Sequence, residues 1–269
     1  VADSLATTYT YYADGKKNTI AYPNGTSVGY TWHPTNRVKT VANLSGETTL
    51  SHYSYFYDKN GNRLWQSEVQ NGATEVTSYA YDRVDRLISF TVTSAGEPRT
   101  TDYTYEGYNR KTEKLTQNGT VEKNQAYSYD ETDWLKRIDD GAKTVAYEYD
   151  ENGNTIRKVD NSSPNQDITF AYDSKNQLIE TKRGIPGSET ILGRYDYNAQ
   201  GLRIRHRLSD RGDVDYYYDG RSVIEEHNAQ DNTLLAHYRY ADRLVSLDTG
   251  AGKQYYHYEV RRWLEGDPG

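Results

Sequence analysis

The sequence predicts an all-β protein built as a repetitive antiparallel β-hairpin ribbon. First, a short unit containing two aromatic residues, an Asp and a polar turn recurs at steps of 20 to 25 residues. Second, Gly-bearing turn sequences lie about half a period away from these Asp residues. Third, no segment shows a sustained helical period. A regular recurrence of this kind is typical of arrays whose units bury their apolar faces on their neighbours.

The unit is clearest at residues 57–64, Tyr-Asp-Lys-Asn-Gly-Asn-Arg-Leu. It returns at 81–87, 149–156, 172–178 and 197–204. Another aromatic residue usually stands two residues before the Tyr, and residues i and i+2 of a strand share one face. The Asp suits a tight turn because its carboxylate can accept hydrogen bonds from nearby backbone N–H groups. Alternating apolar residues follow, so each unit is predicted to be a β-hairpin.

Alignment on the Asp gives eleven repeats across residues 1–269, and we call the aligned position the anchor. The anchors are residues 12, 33, 58, 82, 106, 130, 150, 173, 198, 219 and 241. Five of them are not Asp: Tyr12, His33, Glu106, Asn198 and Ala241. The predicted structural positions are Tyr55, Tyr57, Asp58, Gly61, Tyr79, Tyr81, Asp82, Tyr127, Tyr129, Asp130, Tyr147, Tyr149, Asp150, Gly153, Tyr172, Asp173, Tyr195, Tyr197, Gly201, Tyr218 and Asp219.

The remaining turns fall between the anchors. They are predicted at Asn71-Gly72, Ser94-Ala95-Gly96, Asn118-Gly119 and Asp140-Gly141. Because Asn-Gly and Asp-Gly favour two-residue hairpin turns, each repeat contains two reversals. The sequence therefore predicts a single array of about twenty strands, with no composition break to mark a second domain.

Composition is unusual but compatible with a folded β protein. Only 35% of the residues are hydrophobic and the mean hydropathy is −1.00, yet the chain has 28 tyrosines. Each Tyr can bury a large ring while its hydroxyl stays hydrated or hydrogen-bonded, so we expect Tyr to form most of the core. No apolar run approaches the ~18 residues of a membrane-spanning helix. The chain begins at Val1 without Met, and we expect it to be part of a longer protein.

Charge and cysteine content exclude some function classes. The net charge is −7 and basic residues are spread along the chain, which argues against a nucleic-acid or anionic-membrane binder. The basic residues of 203–207 alternate with apolar ones and are expected to form one solvated strand face. The chain has no Cys, so neither disulfides nor thiolate metal sites are available.

The sequence contains no strong motif for catalysis, metal binding or phosphate binding. The sequences at 58–62 and 150–154 resemble the opening of a calcium loop, but Gly stands fourth rather than sixth, so we interpret them as hairpin turns. The six histidines form no metal-binding pair and adjoin no nucleophile motif, and there is no phosphate-binding Gly loop. Arg211-Gly212-Asp213 has the composition of a turn. We predict no catalytic site, cofactor or metal.

The units at 57–64, 81–88, 149–156 and 172–179 resemble the YD repeat of the RHS family. That family includes bacterial RHS toxins, the shell-forming B and C subunits of insecticidal Tc complexes, wall-associated proteins and teneurins. The resemblance covers essentially the whole chain. It implies that the hairpin ribbon spirals into part of a hollow shell, which in the toxins encloses a C-terminal toxic domain.

The end of the chain carries a further resemblance. Residues 262–269, Arg-Trp-Leu-Glu-Gly-Asp-Pro-Gly, resemble the start of the RHS core segment, which we place at 255–269. In the family this segment precedes an aspartate-dependent self-cleavage site, and Asp267 matches one of its elements. The sequence stops at Gly269 without the rest of the core, so self-cleavage is not carried over and a closing turn is the alternative.

The resemblance and the repeat pattern lead to one main functional expectation. We expect a structural shell segment of a secreted or surface-exposed bacterial RHS-type toxin, whose partners are a polypeptide cargo or other segments of the same parent protein. The alternative is a cell-surface adhesion module that binds carbohydrate or partner proteins. Edge-to-edge self-assembly through exposed strands is a further expectation, and an enzyme is not expected.

Overall fold

The computed structural model describes residues 6–208, 212–241 and 243–257. In this part of the chain, 23 antiparallel strands form one open sheet, and there is no α-helix. The single helical element among these residues is one 3-10 turn, Pro164–Gln166. The predicted all-β hairpin ribbon is therefore confirmed. None of the described residues belong to a helix that is long and apolar enough to cross a membrane.

The strands follow the chain in order, with short connections between them. They are β1 Thr8–Tyr11, β2 Lys17–Ala21, β3 Thr26–Trp32, β4 Val38–Ser45, β5 Thr48–Tyr57, β6 Arg63–Gln70, β7 Ala73–Tyr81, β8 Leu87–Ser94, β9 Glu97–Glu106, β10 Asn109–Gln117, β11 Thr120–Tyr129, β12 Leu135–Asp139, β13 Thr144–Tyr149, β14 Thr155–Asp160, β15 Ile168–Tyr172, β16 Leu178–Arg183, β17 Thr190–Tyr197, β18 Arg203–Leu208, β19 Val214–Asp219, β20 Ser222–Asn228, β21 Leu234–Tyr240, β22 Leu244–Thr249 and β23 Gly252–Tyr255.

Each anchor closes a hairpin, and most of these turns share one geometry. At Asp150 the anchor N–H donates to the carbonyl of Asn154 at 3.0 Å, and the N–H of Gly153 donates to the anchor carbonyl at 3.1 Å. The third residue after the anchor has a positive φ, which Gly, Asn and Asp accept most readily. In the described chain this residue is Gly15, Asn36, Gly61, Asp85, Asp133, Gly153, Asn176 or Gly201.

The other anchors close shorter turns. The hairpins at Glu106 and Asp219 turn through two residues, with positive φ at Gly107 and Gly220. At Ala241 the anchor N–H donates to the carbonyl of Arg243. The Asn-Gly turns between the anchors form as predicted, because both Asn71 and Gly72 have the positive φ of a type I′ turn.

A β-bulge lies next to the anchor turn in almost every hairpin. Between β13 and β14, Glu148 pairs with Arg157 whereas Tyr149 pairs with Thr155, which leaves Ile156 as the extra residue. The same shift occurs immediately before the aromatic residue that precedes the anchor in β1, β3, β5, β7, β11, β15, β17, β19 and β21. Because bulges bend the strand and increase its twist, a bend is built into each repeat.

The described residues cluster into two compact units. The first contains residues 6–104, 113–123 and 257, and the second contains residues 105–112 and 124–256. Ile20, Val28, Val41 and Tyr55 form a buried core in the first unit. In the second unit the tyrosines on the corresponding face are half-buried. A single array covering residues 1–269 stays a prediction.

Candidate functional site

One face of the sheet in the second unit carries the aromatic residues. Tyr147 and Tyr149 lie on this face in β13, and Tyr216 and Tyr218 do so in β19, because alternate residues of a strand share a face. Tyr217, between the last two, points to the opposite face and is 45% exposed. Burial raises the pKa of the Tyr147 phenol, so this side chain is neutral at neutral pH. We call this surface the aromatic face.

The aromatic face also holds a cation and a neutral His. The guanidinium carbon of Arg203 lies 5.5 Å from the ring centroids of both Tyr195 and Tyr216, within the range of cation–π attraction. His206 stacks on Tyr195 with ring centroids 4.7 Å apart. Burial, reinforced by the charge of Arg203, lowers the pKa of His206. The face therefore combines apolar ring surfaces with two polar side chains, the charged Arg203 and the neutral His206.

In several repeats the Tyr that precedes the anchor joins its hairpin to the one before it. The Tyr172 hydroxyl donates to the backbone carbonyl of Thr155, the fifth residue after the preceding anchor, at 3.0 Å. The same bond is made by Tyr81 to Arg63, Tyr149 to Leu135, Tyr197 to Leu178 and Tyr218 to Arg203, at 2.6 to 2.9 Å. We call this contact the tyrosine clasp. It fixes the register of successive hairpins through a side chain.

Two early repeats keep this connection with different residues. Trp32 stands where the other repeats have the clasp Tyr, and its indole N–H donates to the carbonyl of Lys17 at 2.8 Å. Tyr12 and His33 replace the anchor Asp and bond forward instead. The Tyr12 hydroxyl donates to the carbonyl of Tyr30 at 2.9 Å, and His33 Nε2 lies 3.0 Å from the carbonyl of Tyr55. Loss of the anchor carboxylate is thus accompanied by a new contact to the next hairpin.

The anchor carboxylates bind their own turns. Asp150 Oδ1 accepts hydrogen bonds from the backbone N–H groups of Asn152 and Asn154, and its Oδ2 accepts one from the Asn154 side chain. The Asn154 side chain and these N–H groups hold the pKa of Asp150 below its usual value. Asp58 makes equivalent bonds to Gly61 and Asn62. The acids interpreted as turn residues do act in turns, and in the described part of the chain no group of three or more His, Asp and Glu residues is placed to hold a metal ion.

Successive anchor turns also contact one another at matched positions. The fourth residue after one anchor lies on the third residue after the next anchor. Trp134 packs on Gly153 so closely that a Cβ there would lie 2.9 Å from Trp134 Cζ2. Arg37 lies on Gly61 and Gln177 lies on Gly201 in the same way.

Where the third residue after an anchor is Asp85 or Asn176, the fourth residue after the preceding anchor is Asn. Asn62 donates to Asp85 at 2.7 Å, and Asn154 donates to Asn176 at 2.9 Å. In these five contacts a long side chain faces Gly, whereas Asn faces an Asp or Asn side chain. We call this correspondence the turn match.

The opposite face of the sheet is polar in most repeats. In the second unit it carries ion pairs such as Arg205–Asp215 and Arg194–Glu180. In the first unit it carries a stacked aromatic pair instead, Phe56 and Trp65, which are 47% and 39% exposed with ring centroids 6.3 Å apart. Ser54, Ser67 and Ser78 are their neighbours on this face by strand register.

The remaining predicted positions fall into this scheme. Tyr55 is buried beneath Arg63, Tyr79 packs near Phe90, and Tyr127 lies under Arg110. Tyr57, Tyr129 and Tyr197 precede bulged turns. Arg211 and residues 258–269, including Asp267, lie outside the described residues.

Sequence reasoning missed the side chains that link one hairpin to the next. These are Trp32, Arg37, Asn62, Trp134, Gln177 and Arg203. A signal was available, because the turn-match residues of these five contacts stand fourth after an anchor and Trp32 stands directly before one. To recognise these residues, each repeat has to be compared with the next repeat along the chain, and not only with the common repeat unit.

These features define the chain as an all-β array of clasped hairpins. No family model matches the chain, and no curated protein sequence matches it. The fold is similar to part of the crystal structure of TcdB2-TccC3-Cdc42, with a TM-score of 0.52 and 15% identity over 93% of this chain. The structure of TcdB2-TccC3-TEV gives a TM-score of 0.50 at 15% identity, again over 93% of this chain.

This chain spans only 15% of the length of each of those two proteins. A Tc holotoxin pore from Photorhabdus luminescens, with a TccC3 mutation, is also similar over 88% of this chain and 15% of that chain, at 16% identity and a TM-score of 0.38. At these identities the likeness to the first two structures shows a shared fold and nothing about activity.

Proposed function

We propose that this chain is a structural segment of a protein shell that encloses a polypeptide, within a secreted or surface-exposed bacterial toxin of the RHS type. The aromatic face of the second unit carries the proposal. It supplies half-buried rings at Tyr147, Tyr195 and Tyr216, at matching positions of β13, β17 and β19. The fold shared with TcdB2-TccC3-Cdc42 supports the same role.

A face of this kind suits a polypeptide that has no single structure. Tyr rings contribute apolar contact area, and their hydroxyls supply hydrogen bonds without a net charge. Few rotamers must be immobilised when Tyr makes a contact, which keeps the entropic cost of binding low. The face therefore favours many weak contacts with an unfolded chain over tight binding of one folded surface.

The enclosed polypeptide is, in this proposal, a toxin domain at the C-terminal end of the parent protein. Because this chain covers 15% of the length of the proteins that share its fold, other segments of the parent would complete the shell. The chain itself is proposed to hold cargo and to catalyse no reaction. Its partners are the cargo and the neighbouring hairpins of the shell.

Binding of an unfolded polypeptide tests this proposal. The probe is dye-labelled lysozyme that has been reduced and carboxymethylated, so that it cannot refold, and the readout is fluorescence anisotropy. We expect saturable binding that Tyr216→Ser weakens severalfold, because Tyr216 lies on the aromatic face. Tyr217→Ser is the matched control on the opposite face. Equal effects of the two substitutions, or no binding by the unsubstituted chain, would argue against enclosure.

A second candidate function rests on the Phe56–Trp65 pair. Exposed ring faces bind the apolar C–H faces of sugars, and uncharged Ser side chains next to them supply hydrogen bonds to sugar hydroxyls. This pair favours the adhesion alternative, with neutral carbohydrate as the ligand. Titration with cellohexaose and mannohexaose, followed by Trp fluorescence, tests it. Loss of a saturable change in Trp65→Ser but not in Trp134→Phe would support adhesion, whereas an absence of change with both sugars would count against it.

A further inference from the structure

Arg203 is an exposed cation on the aromatic face of the second unit. We propose that its guanidinium, held over the rings of Tyr195 and Tyr216, binds a side-chain carboxylate of the enclosed polypeptide. The aromatic face thus selects unfolded segments that contain Asp or Glu. The inference rests on the proposed function, because that function makes the aromatic face the surface that holds cargo.

The β-bulge between β17 and β18 places Arg203 on this face. Strict alternation would put Arg203 and Arg205 on the same face of β18. The bulge leaves Ile204 as an extra residue between them, so the two side chains lie on opposite faces. Arg205 forms an ion pair with Asp215, whereas Arg203 lies over the ring of Tyr195. One arginine of the strand is therefore neutralised by a carboxylate and the other is not.

The Arg203 side chain is oriented by aromatic rings while its hydrogen-bonding groups stay available. Its guanidinium carbon lies 5.5 Å from the ring centroids of both Tyr195 and Tyr216. Within the described residues, this side chain makes no hydrogen bond and no ion pair. A guanidinium has five N–H donors in a planar fork that matches a carboxylate. Because the two rings already restrict the side chain, binding a ligand immobilises little more of it.

Two other arginines that lie over Tyr rings are already engaged in hydrogen bonds. The Arg37 guanidinium donates to the backbone carbonyl of Asn60, and the Arg63 guanidinium donates to the side-chain oxygen of Gln66. Arg63 is also buried, whereas Arg203 is exposed. Stacking on Tyr therefore does not by itself create a binding site, and Arg203 differs in having free donors that a ligand can reach.

The groups beside Arg203 favour a single carboxylate as the ligand. Burial raises the pKa of the Tyr216 phenol, Arg203 opposes that rise and Glu226 adds to it, so the phenol is protonated at neutral pH. In the described part of the chain the Tyr216 hydroxyl makes no hydrogen bond, which leaves it as a further donor on this face.

Glu226 limits the kind of anion that this face accepts. It does not neutralise Arg203, because its carboxylate accepts a hydrogen bond from the Tyr238 hydroxyl at 2.8 Å instead. A carboxylate beside the site, in a chain with a net charge of −7, repels polyanions such as nucleic acids. An isolated carboxylate in an otherwise uncharged segment meets the guanidinium with little of this repulsion.

Two peptides that differ in one residue test the inference on the full chain. Both are dye-labelled, capped peptides of Gly, Ser and Leu, with a central Glu in one and a central Gln in the other, and fluorescence anisotropy reports binding. We expect the Glu peptide to bind about fivefold more tightly than the Gln peptide, given the strength of charge-assisted hydrogen bonds at partly exposed sites. Arg203→Gln should reduce this ratio to about one, and Arg203→Lys, which keeps the charge without the planar fork, to about twofold.

Two further variants separate the site from net charge. Arg205→Gln is the matched control, because it removes the same charge from the same strand on the opposite face, and it should leave the preference for Glu in place. Glu226→Gln should increase the preference by about twofold, since it removes a neighbouring negative charge. Its amide oxygen still accepts the hydrogen bond from Tyr238.

The outcomes distinguish this inference from the proposed function. Equal binding of both peptides by the unsubstituted chain would overturn the carboxylate site and leave enclosure standing, whereas no binding of either peptide would count against both. Equal losses of the preference in Arg203→Gln and Arg205→Gln would show that net charge sets it. Tighter binding of an oligothymidylate than of the Glu peptide, abolished by Arg203→Gln, would identify phosphate as the ligand and also overturn the inference.

Discussion

The hydroxyl of Tyr172 donates a 3.0 Å hydrogen bond to the backbone carbonyl of Thr155, the first residue of β14 in the preceding hairpin. Because an equivalent bond recurs along the chain, register between hairpins is held by Tyr hydroxyls as well as by backbone pairing. These bonds need the Tyr hydroxyl, which Phe lacks. The clasp therefore accounts for five of the 28 tyrosines.

Tyr172→Phe should destabilise the protein by about 1 kcal/mol, the usual contribution of one hydrogen bond. The ring stays in place, so the change isolates the hydroxyl. Urea unfolding measures the difference in the free energy of unfolding. The control is Tyr217→Phe on the opposite face, where we expect a change within about 0.5 kcal/mol. Equal changes for the two variants would mean that the clasp contributes no stability.

Trp32 allows the same bond to be tested with a different donor. Its indole N–H bonds the carbonyl of Lys17, so Trp32→Tyr can keep a donor at this position whereas Trp32→Phe cannot. We predict that the Phe variant is less stable than the Tyr variant by about 1 kcal/mol in urea unfolding. If the Phe variant were as stable as the Tyr variant, the contribution of Trp32 would be packing alone.

The turn match predicts coupling between Trp134 and Gly153. Gly153→Asn accepts the positive φ but places a Cβ against the Trp134 ring, which should cost about 1–3 kcal/mol. Trp134→Asn removes the obstruction and recreates the Asn–Asn contact seen between Asn154 and Asn176. A double-mutant cycle should therefore give a favourable coupling of about 0.5–3 kcal/mol. Additive effects would show that the two positions do not recognise each other.

The anchor carboxylates predict the response to acid. The Asn154 side chain lowers the pKa of Asp150 and the Thr132 side chain lowers that of Asp130, and backbone N–H groups add to both effects. A lowered folded-state pKa gives stability that is present above the unfolded pKa of about 4 and is lost as pH falls through the folded value. Asp160, held by Lys143 and Ser162, has a pKa of about 2. We expect the melting temperature to be level above about pH 5 and to fall between about pH 4 and pH 2.

Asn at an anchor should weaken this acid response. Asn198 is an anchor in this chain, and its side-chain oxygen accepts the same two backbone N–H bonds. Asp150→Asn should therefore keep the turn at neutral pH and reduce the loss of melting temperature on acidification. An unchanged acid profile in this variant would mean that Asp150 does not contribute to the transition.

The hairpins themselves could be predicted from the sequence because their determinants are local. Asp58 and Gly61 specify a turn within five residues, and Asn71-Gly72 specifies the next one. The bulge at Ile156 could not be predicted, since an apolar residue there fits simple alternation equally well. The short turn at Asp219 was also missed, because its anchor is the usual Asp and only the following residues differ.

Contacts between hairpins depend on pairs of residues about 20 to 25 positions apart, such as Arg37 with Gly61. A single consensus repeat gives one average residue type at each position, so it does not show that the residue type in one repeat depends on the residue type in the next. The exposed Phe56–Trp65 pair was missed for a similar reason, because it depends on which residues face each other across two strands. Burial differences between the two units depend on packing beyond single hairpins, which periodicity does not specify.

In the proposed function, the aromatic face rather than the opposite face holds an unfolded polypeptide. The most direct measurement places a photoreactive benzoylphenylalanine at residue 216 or residue 217 and maps cross-links to reduced, carboxymethylated lysozyme by mass spectrometry. We expect abundant cross-links from residue 216, on the aromatic face, and few from residue 217. Equal cross-linking from the two positions, or more from residue 217, would contradict it.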